Sequence, residues 1–149
     1  MKPDAIEIIE FDNLKHRKQV VALWQEVFGY EAAHNSPELV IDKKVAVRDG
    51  LFFVAIRRQV VVGTVMAGYD GHRGWIYSMA VHPTHRKKGI GAALLACVER
   101  KLSSLRCLKI NLQIMEGNEA VQRFYQAHGY FTENRISMGK RLSENIENA

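Results

Sequence analysis

The segment that most limits what this chain can become runs Met79-Ala80-Val81-His82-Pro83-Thr84-His85-Arg86-Lys87-Lys88-Gly89-Ile90-Gly91-Ala92. An apolar, strand-like run is stopped by Pro83 and enters a basic loop. The chain then passes through Gly89 into a helical pattern, with Ile90, Leu94, Val98, Leu102 and Leu105 on one face. A strand feeding a helix through so short a connection belongs to a layered α/β arrangement. The first N–H groups of a helix have no intrahelical partner, and the helix dipole adds partial positive charge, so the junction suits an anion. Gly89 and Gly91 carry no Cβ, which lets a phosphate approach the backbone closely. Arg86, Lys87 and Lys88 add charge around it, and Ile90 and Ala92 extend the row of main-chain donors. A dinucleotide fingerprint needs GxGxxG and a Walker loop needs GxxxxGK followed by Ser or Thr; the segment has neither. What remains is a pyrophosphate cradle of the form Arg-x-x-Gly-x-Gly, on Arg86, Gly89 and Gly91.

The flanking pattern supplies the layers. Ala5 to Phe11 reads as a first strand. Asp12 or Asn13 can cap a helix with Val20, Leu23, Trp24, Val27 and Phe28 on its apolar face, closed by Gly29. Ser36-Pro37 opens a second helix that ends near Asp49-Gly50. Leu51–Ile56, Val60–Gly68 and Trp75–Val81 read as an antiparallel three-strand meander, turned at Arg57-Arg58-Gln59 and at Asp70 to Gly74. After the loop helix, Leu108, Ile110, Leu112 and Ile114 alternate with polar residues, a period-two strand. Asn118 can cap a last helix that buries Val121 and Phe124 and ends at His128-Gly129. Tyr130 to Leu142 reads as one or two closing strands. The order β-α-α-β-β-β-α-β-α-β predicts an α/β fold with a mixed sheet. The strands on either side of the Gly89 helix should run parallel through a right-handed crossover.

Composition narrows the class further. A chain of 149 residues suits one domain, here residues 1–142 with a polar tail over 143–149. Charges interrupt every apolar stretch well before roughly 18 residues, so no membrane span is expected. The first residues alternate apolar side chains with Asp and Glu, unlike an export signal, so a cytoplasmic protein is expected. Cys97 and Cys107 have neither disulfide density nor CxxC spacing, and no metal site is expected. Net charge is +5, but its basic residues cluster at the loop without interleaved aromatics, which ranks nucleic acid low as a partner.

The loop, the Ala80-Val81-His82-Pro83 strand end, and the later Asn118, Phe124-Tyr125 and Gly129-Tyr130 together resemble the GCN5-related N-acetyltransferase family over nearly the whole chain. The resemblance implies the acyl-CoA N-acyltransferase fold and acetyl-CoA as acetyl donor. It implies that the strand ending at Val81 splays from the next one, commonly at a bulge, and that pantetheine pairs along Met79, Ala80 and Val81. Tyr125 corresponds to the family's tyrosine acid, and Asn118 to a contact with the CoA arm as well as a helix cap. Many relatives carry a glutamate where Gln113 stands, so no carboxylate base is assigned; Glu116, His72 and His34 are candidates. The amine acceptor, a small molecule or a peptide, is expected near the first two helices, with Tyr30 and His34 as contacts. Two other readings stay open: an acetyl-CoA sensor without catalysis, and an acetyltransferase acting on aminoacyl-tRNA or protein. The family's late strands often form homodimers, so that assembly is a further expectation.

Overall fold

A computed structural model describes residues 4–29 and 36–143. The elements are β1 (Glu7–Glu10), α1 (Asn13–Val27), α2 (Pro37–Val47), β2 (Phe52–Arg57), β3 (Val60–Tyr69), β4 (Gly74–Val81), α3 (Ile90–Ser104), β5 (Ile110–Leu112) and α4 (Glu119–Ala127). A single 3₁₀ turn, Pro83–His85, follows β4. Among the described residues the sheet has the order β1-β2-β3-β4-β5. Its pairs are antiparallel except β4 with β5, which is parallel, as the crossover through α3 requires.

Each face of the sheet carries its own core. On one, Val20, Leu23 and Trp24 of α1 and Ile41 of α2 cover Phe52, Val54 and Met66. On the other, Ile90, Leu94, Val98 and Leu102 of α3 cover Phe53, Val65, Ala67 and Ile76. The helical spacing puts those four α3 residues on one buried face. At Gly63 helix and sheet come close: a Cβ there would lie 3.0 Å from the Ala80 carbonyl oxygen and from Leu94 Cδ1.

Caps fix the helix starts. Ser36 Oγ accepts from the Leu39 N–H, with Pro37 in the first turn; loss of such a cap costs about 1 kcal/mol. Asp12 Oδ1 accepts from Leu14 and Lys15, and His16 Nδ1 accepts from the Asp12 N–H at 2.9 Å. His16 is buried, and desolvation lowers its pKa despite the opposing Asp12 carboxylate, with Lys15 adding a little to the lowering. The folded state therefore takes up a proton at His16 less readily than the unfolded chain, whose histidine titrates near about 6.5. The stability this provides is present above that pH and is lost as pH falls below it. The thermal midpoint should drop by a few degrees between neutral pH and mildly acidic pH. His16→Gln, which keeps an acceptor, should reduce that slope in a pH series of melting curves.

Three expectations need correction. Phe28 and Leu105, read as core positions, are 45% and 48% exposed, because each is the residue just past its helix. In α4 the buried residue is Tyr125, at 5% exposure, whereas Val121 is 37% exposed and Phe124 half-buried. The closing strand over Tyr130 to Leu142 does not form among the described residues. That segment follows β5 through side chains: Lys109 and Asn111 bind Glu133, and Gln113 binds Ser137. Among the described residues no backbone ladder closes between the two, and a groove of about 1450 Å³ is lined by β5, this segment and parts of α3 and α4.

Candidate active site

The site begins where β4 leaves the sheet. β4 and β5 pair only through Gly74–Ile110, Trp75–Asn111 and Ile76–Leu112. Beyond Ile76 the strands part, and among the described residues Tyr77 to Val81 have no strand partner on that side. The β3–β4 register shifts at the same place: Thr64 faces Ala80 and Met66 faces Tyr77, so Val65 stands opposite both Ser78 and Met79. This is a β-bulge, and Ser78 carries its strain at φ +52°, a left-handed value rarely adopted by a residue with a side chain. The bulge also resets the alternation. Ile76 faces the α3 side before it; Met79 and Val81 face that side after it, and Ala80 packs beneath α1.

A hydrogen-bonded chain anchors the bulge from below. Trp24 Nε1 donates to Thr64 Oγ1 at 2.8 Å, and Thr64 Oγ1 donates to the Ser78 carbonyl at 2.9 Å. Trp24 is 1% exposed and Thr64 is fully buried. The helical spacing puts Trp24 on the packing face and does not by itself show this hydrogen bond. A buried indole N–H needs an acceptor, and the lone threonine in an apolar strand run was the available signal.

The loop that follows is built as its composition suggested. His82 Nδ1 caps the 3₁₀ turn by accepting from the Thr84 N–H, and His82 Nε2 lies 3.2 Å from Glu26 Oε2. Arg86 Nε folds back to the Val81 carbonyl. Lys87 (φ +63°) and Gly89 (φ +79°) are both left-handed, which turns the chain sharply before α3. No side chain caps α3, so its first N–H groups have neither an intrahelical partner nor a side-chain acceptor. Nothing lies within 4 Å of the position a Gly89 Cβ would take. Gly91 differs: a Cβ there would meet the Phe124 ring at 3.2 Å, so its smallness serves the contact between α3 and α4. Lys87, Lys88 and Gly89 are exposed, Ile90 is buried, and Gly91 and Ala92 are half-buried.

Asn118 caps α4, its Oδ1 accepting from the Val121 N–H at 3.4 Å. Tyr125 follows on that helix, its ring against Phe124 (5.1 Å between centroids) and Tyr130 (5.4 Å). Burial pushes its phenol up to about 12, so it holds its proton throughout the neutral range. Gln113 is exposed and occupied with Ser137, and Glu116 is exposed in the turn before α4. His72 is exposed in the β3–β4 turn, where its N–H binds Asp70. Four residue steps run from Gly74 to Ser78 at the bulge, about 13 Å at the usual rise, so His72 lies at the far end of β4. Tyr30 and His34 lie outside the described residues.

On the α2 side of β4, a cavity of about 310 Å³ is lined by Leu39, Val40, Val47, Met66 and Tyr77 together with Lys43 and Lys44. Lys44 is buried; its Nζ binds Asp49 Oδ2 at 2.8 Å and the Ala67 carbonyl, and lies 5.4 Å from the Tyr77 ring centre. Among the described residues no cluster of three metal-ligating side chains occurs, and no helix is long and apolar enough to cross a membrane.

Comparison with known proteins agrees with this construction. An acetyltransferase of Yersinia pestis (strain Pestoides F) is 38% identical over 137 residues, spanning 92% of this chain and 94% of the relative. An acetyltransferase of Yersinia pseudotuberculosis serotype I matches to the same extent. The aminoglycoside N-acetyltransferase AAC(6')-Iy in complex with CoA superposes with a TM-score of 0.75 at 17% identity, covering 94% of this chain and 97% of that one. The PaiA N-acetyltransferase of Thermoplasma acidophilum, in complex with coenzyme A, gives 0.77 at 17% identity, covering 89% and 93%. A parted β4–β5 pair beside an uncapped, glycine-started helix thus sits in a fold shared with acetyltransferases. Residues 17–130 match the acetyltransferase (GNAT) family, to which this chain belongs.

Proposed function

We propose that the protein transfers the acetyl group of acetyl-CoA to a primary amine by direct attack, without an acetylated enzyme intermediate. The observation that carries this reading is the opening of the β4–β5 ladder beyond Ile76 and Leu112, immediately before the uncapped start of α3. In this reading Gly89, Ile90, Gly91 and Ala92 donate main-chain N–H groups to the diphosphate, and Arg86, Lys87 and Lys88 supply charge around it. The amides of pantetheine pair with the backbone of Met79, Ala80 and Val81, and Asn118 contacts the same arm. The amine nitrogen attacks the thioester carbonyl, a C–N bond forms, and the C–S bond breaks. Tyr125 gives its proton to the departing thiolate, and a β4 main-chain N–H stabilises the oxyanion. The excess proton of the amine passes to water or to Glu116.

The acceptor enters from the α1–α2 side, where the cavity against Tyr77 is mostly apolar and its only charged lining groups are lysines. Such a lining disfavours a polycation and suits an amine with an apolar portion. An acetyl-CoA consumption assay over amino acids, arylalkylamines, polyamines, an aminoglycoside and peptides with free N-termini tests this. Turnover should appear, and a monoamine with an apolar group should outrank the aminoglycoside. An aminoglycoside as best acceptor would overturn the acceptor assignment.

The sensor reading is favoured by one observation: Gln113, where a base is often expected, is bound to Ser137. Tight acetyl-CoA binding with no turnover on any amine would select it.

A further inference from the structure

The Ser78–Met79 peptide joins a left-handed strand residue to a side-chain hydrogen bond from the buried core. Its Ser78 carbonyl is turned out of the β3–β4 ladder and accepts from Thr64 Oγ1, whose own lone pair is engaged by Trp24 Nε1. The threonine hydroxyl has one proton to give, and the indole N–H can only donate. With Trp24 occupying an acceptor site on Thr64, the hydroxyl proton is directed to Ser78. The order of the chain is therefore fixed: Trp24 to Thr64 to Ser78. The peptide is trans, so the Met79 N–H points opposite to the Ser78 carbonyl, away from Trp24. Met79 stands just past the last β4–β5 pair, at the mouth of the opening. Without the Thr64 hydroxyl, the Ser78 carbonyl loses the donor that a fully buried side chain gives it, and the left-handed Ser78 loses a contact that holds its conformation.

We infer that Thr64, oriented by Trp24, is a positioning residue that locks the Ser78–Met79 peptide so that the Met79 N–H is presented to the thioester oxygen. Neither side chain touches the reacting atoms. Both lie beneath the sheet, in the core shared by α1 and the strands. The inference rests on the acetyl-transfer reading and adds to it the device that keeps its oxyanion donor aimed. A donor that must be in place before charge develops is one whose misalignment lowers the rate of the chemical step more than it lowers binding.

The test compares Thr64→Val, Thr64→Ser and Trp24→Phe in the full chain, using the best acceptor from the amine assay. Valine keeps the shape and removes the hydroxyl; serine keeps the hydroxyl. Thr64→Val should lower kcat by about tenfold to a hundredfold. Its coenzyme A affinity by calorimetry should stay within about threefold of the parent, against the tenfold or larger change that loss of a real contact brings. Thr64→Ser should restore most of kcat. Trp24→Phe leaves the Thr64–Ser78 bond available but no longer oriented, and should fall between the two. The shape of the pH–rate profile should not move, since neither group titrates in the working range. Equal kcat for the valine and serine variants, or a loss matched by lost coenzyme A affinity, would overturn the inference. If Thr64→Val does not fold, the Trp24→Phe variant decides alone: kcat equal to the parent in a folded, coenzyme A-binding protein overturns it. A parent protein that binds no coenzyme A would instead remove the acetyl-transfer reading, a different failure.

Discussion

Replacing Tyr125 with phenylalanine should lower kcat by about a hundredfold or more, the scale at which a positioned general acid contributes. Coenzyme A affinity should change little. The substitution removes one oxygen and keeps the ring contacts with Phe124 and Tyr130, so the α4 packing that buries this residue survives. A phenol pushed up to about 12 by burial is protonated at neutral pH and remains so as the acceptor amine deprotonates. Ionisation of Tyr125 therefore sets no alkaline limb until the pH climbs toward that value. Between pH 7 and 10 the rate should rise or level off as more neutral amine is present. Rapid-mixing measurement of kcat across that range, on both proteins, checks the assignment. Equal turnover by the phenylalanine variant removes Tyr125 from the chemistry.

The second large effect is at Gly89. Gly89→Val should weaken acetyl-CoA binding by at least tenfold, equivalent to about 1.4 kcal/mol or more. The reason is conformational before it is steric. The residue sits at φ +79°, which a β-branched side chain adopts only at considerable cost, and open space surrounds the position its Cβ would take. Its Cβ meets no other segment of the protein, so the change falls mainly on the turn that leads into α3. Gly91→Ala provides the contrast. Its Cβ would press on the Phe124 ring at 3.2 Å, so it should lower the melting temperature before it affects coenzyme A affinity. Calorimetry and melting curves on the two variants separate the roles. The same loss of affinity at both positions, without a difference in melting, would show that the two glycines do one job.

Much of this site was legible because its parts are local. The loop from Met79 to Ala92 encodes strand, turn and helix start within fourteen consecutive positions, and its charge and glycines lie on those same positions. The meander was equally readable, since Phe52–Arg57, Val60–Tyr69 and Gly74–Val81 follow the apolar runs closely. What stayed hidden depends on contacts between distant segments. Nothing in the alternation of β4 marks Ser78 as the bulge, because the register is set by Thr64 fourteen positions earlier and by Trp24 on another element. The burial of Tyr125 in place of Phe124 depends on how α4 leans on α3 at Gly91. The strand expected over Tyr130 to Leu142 failed for a related reason. An extended segment reads as a strand whether or not a ladder closes, and here side-chain bridges to Lys109, Asn111 and Gln113 take the ladder's place.

The account depends on a diphosphate seated on main-chain donors at the start of α3, and titration calorimetry of the unmodified protein with coenzyme A measures that contact most directly. The expected result is one saturable site per chain, weakened when pantetheine, which lacks the diphosphate and the phosphoadenosine, replaces the whole molecule and little changed with 3′-dephospho-coenzyme A, which keeps the diphosphate. Absence of heat with coenzyme A and with acetyl-CoA, in protein shown to be folded by its melting curve, would contradict the account.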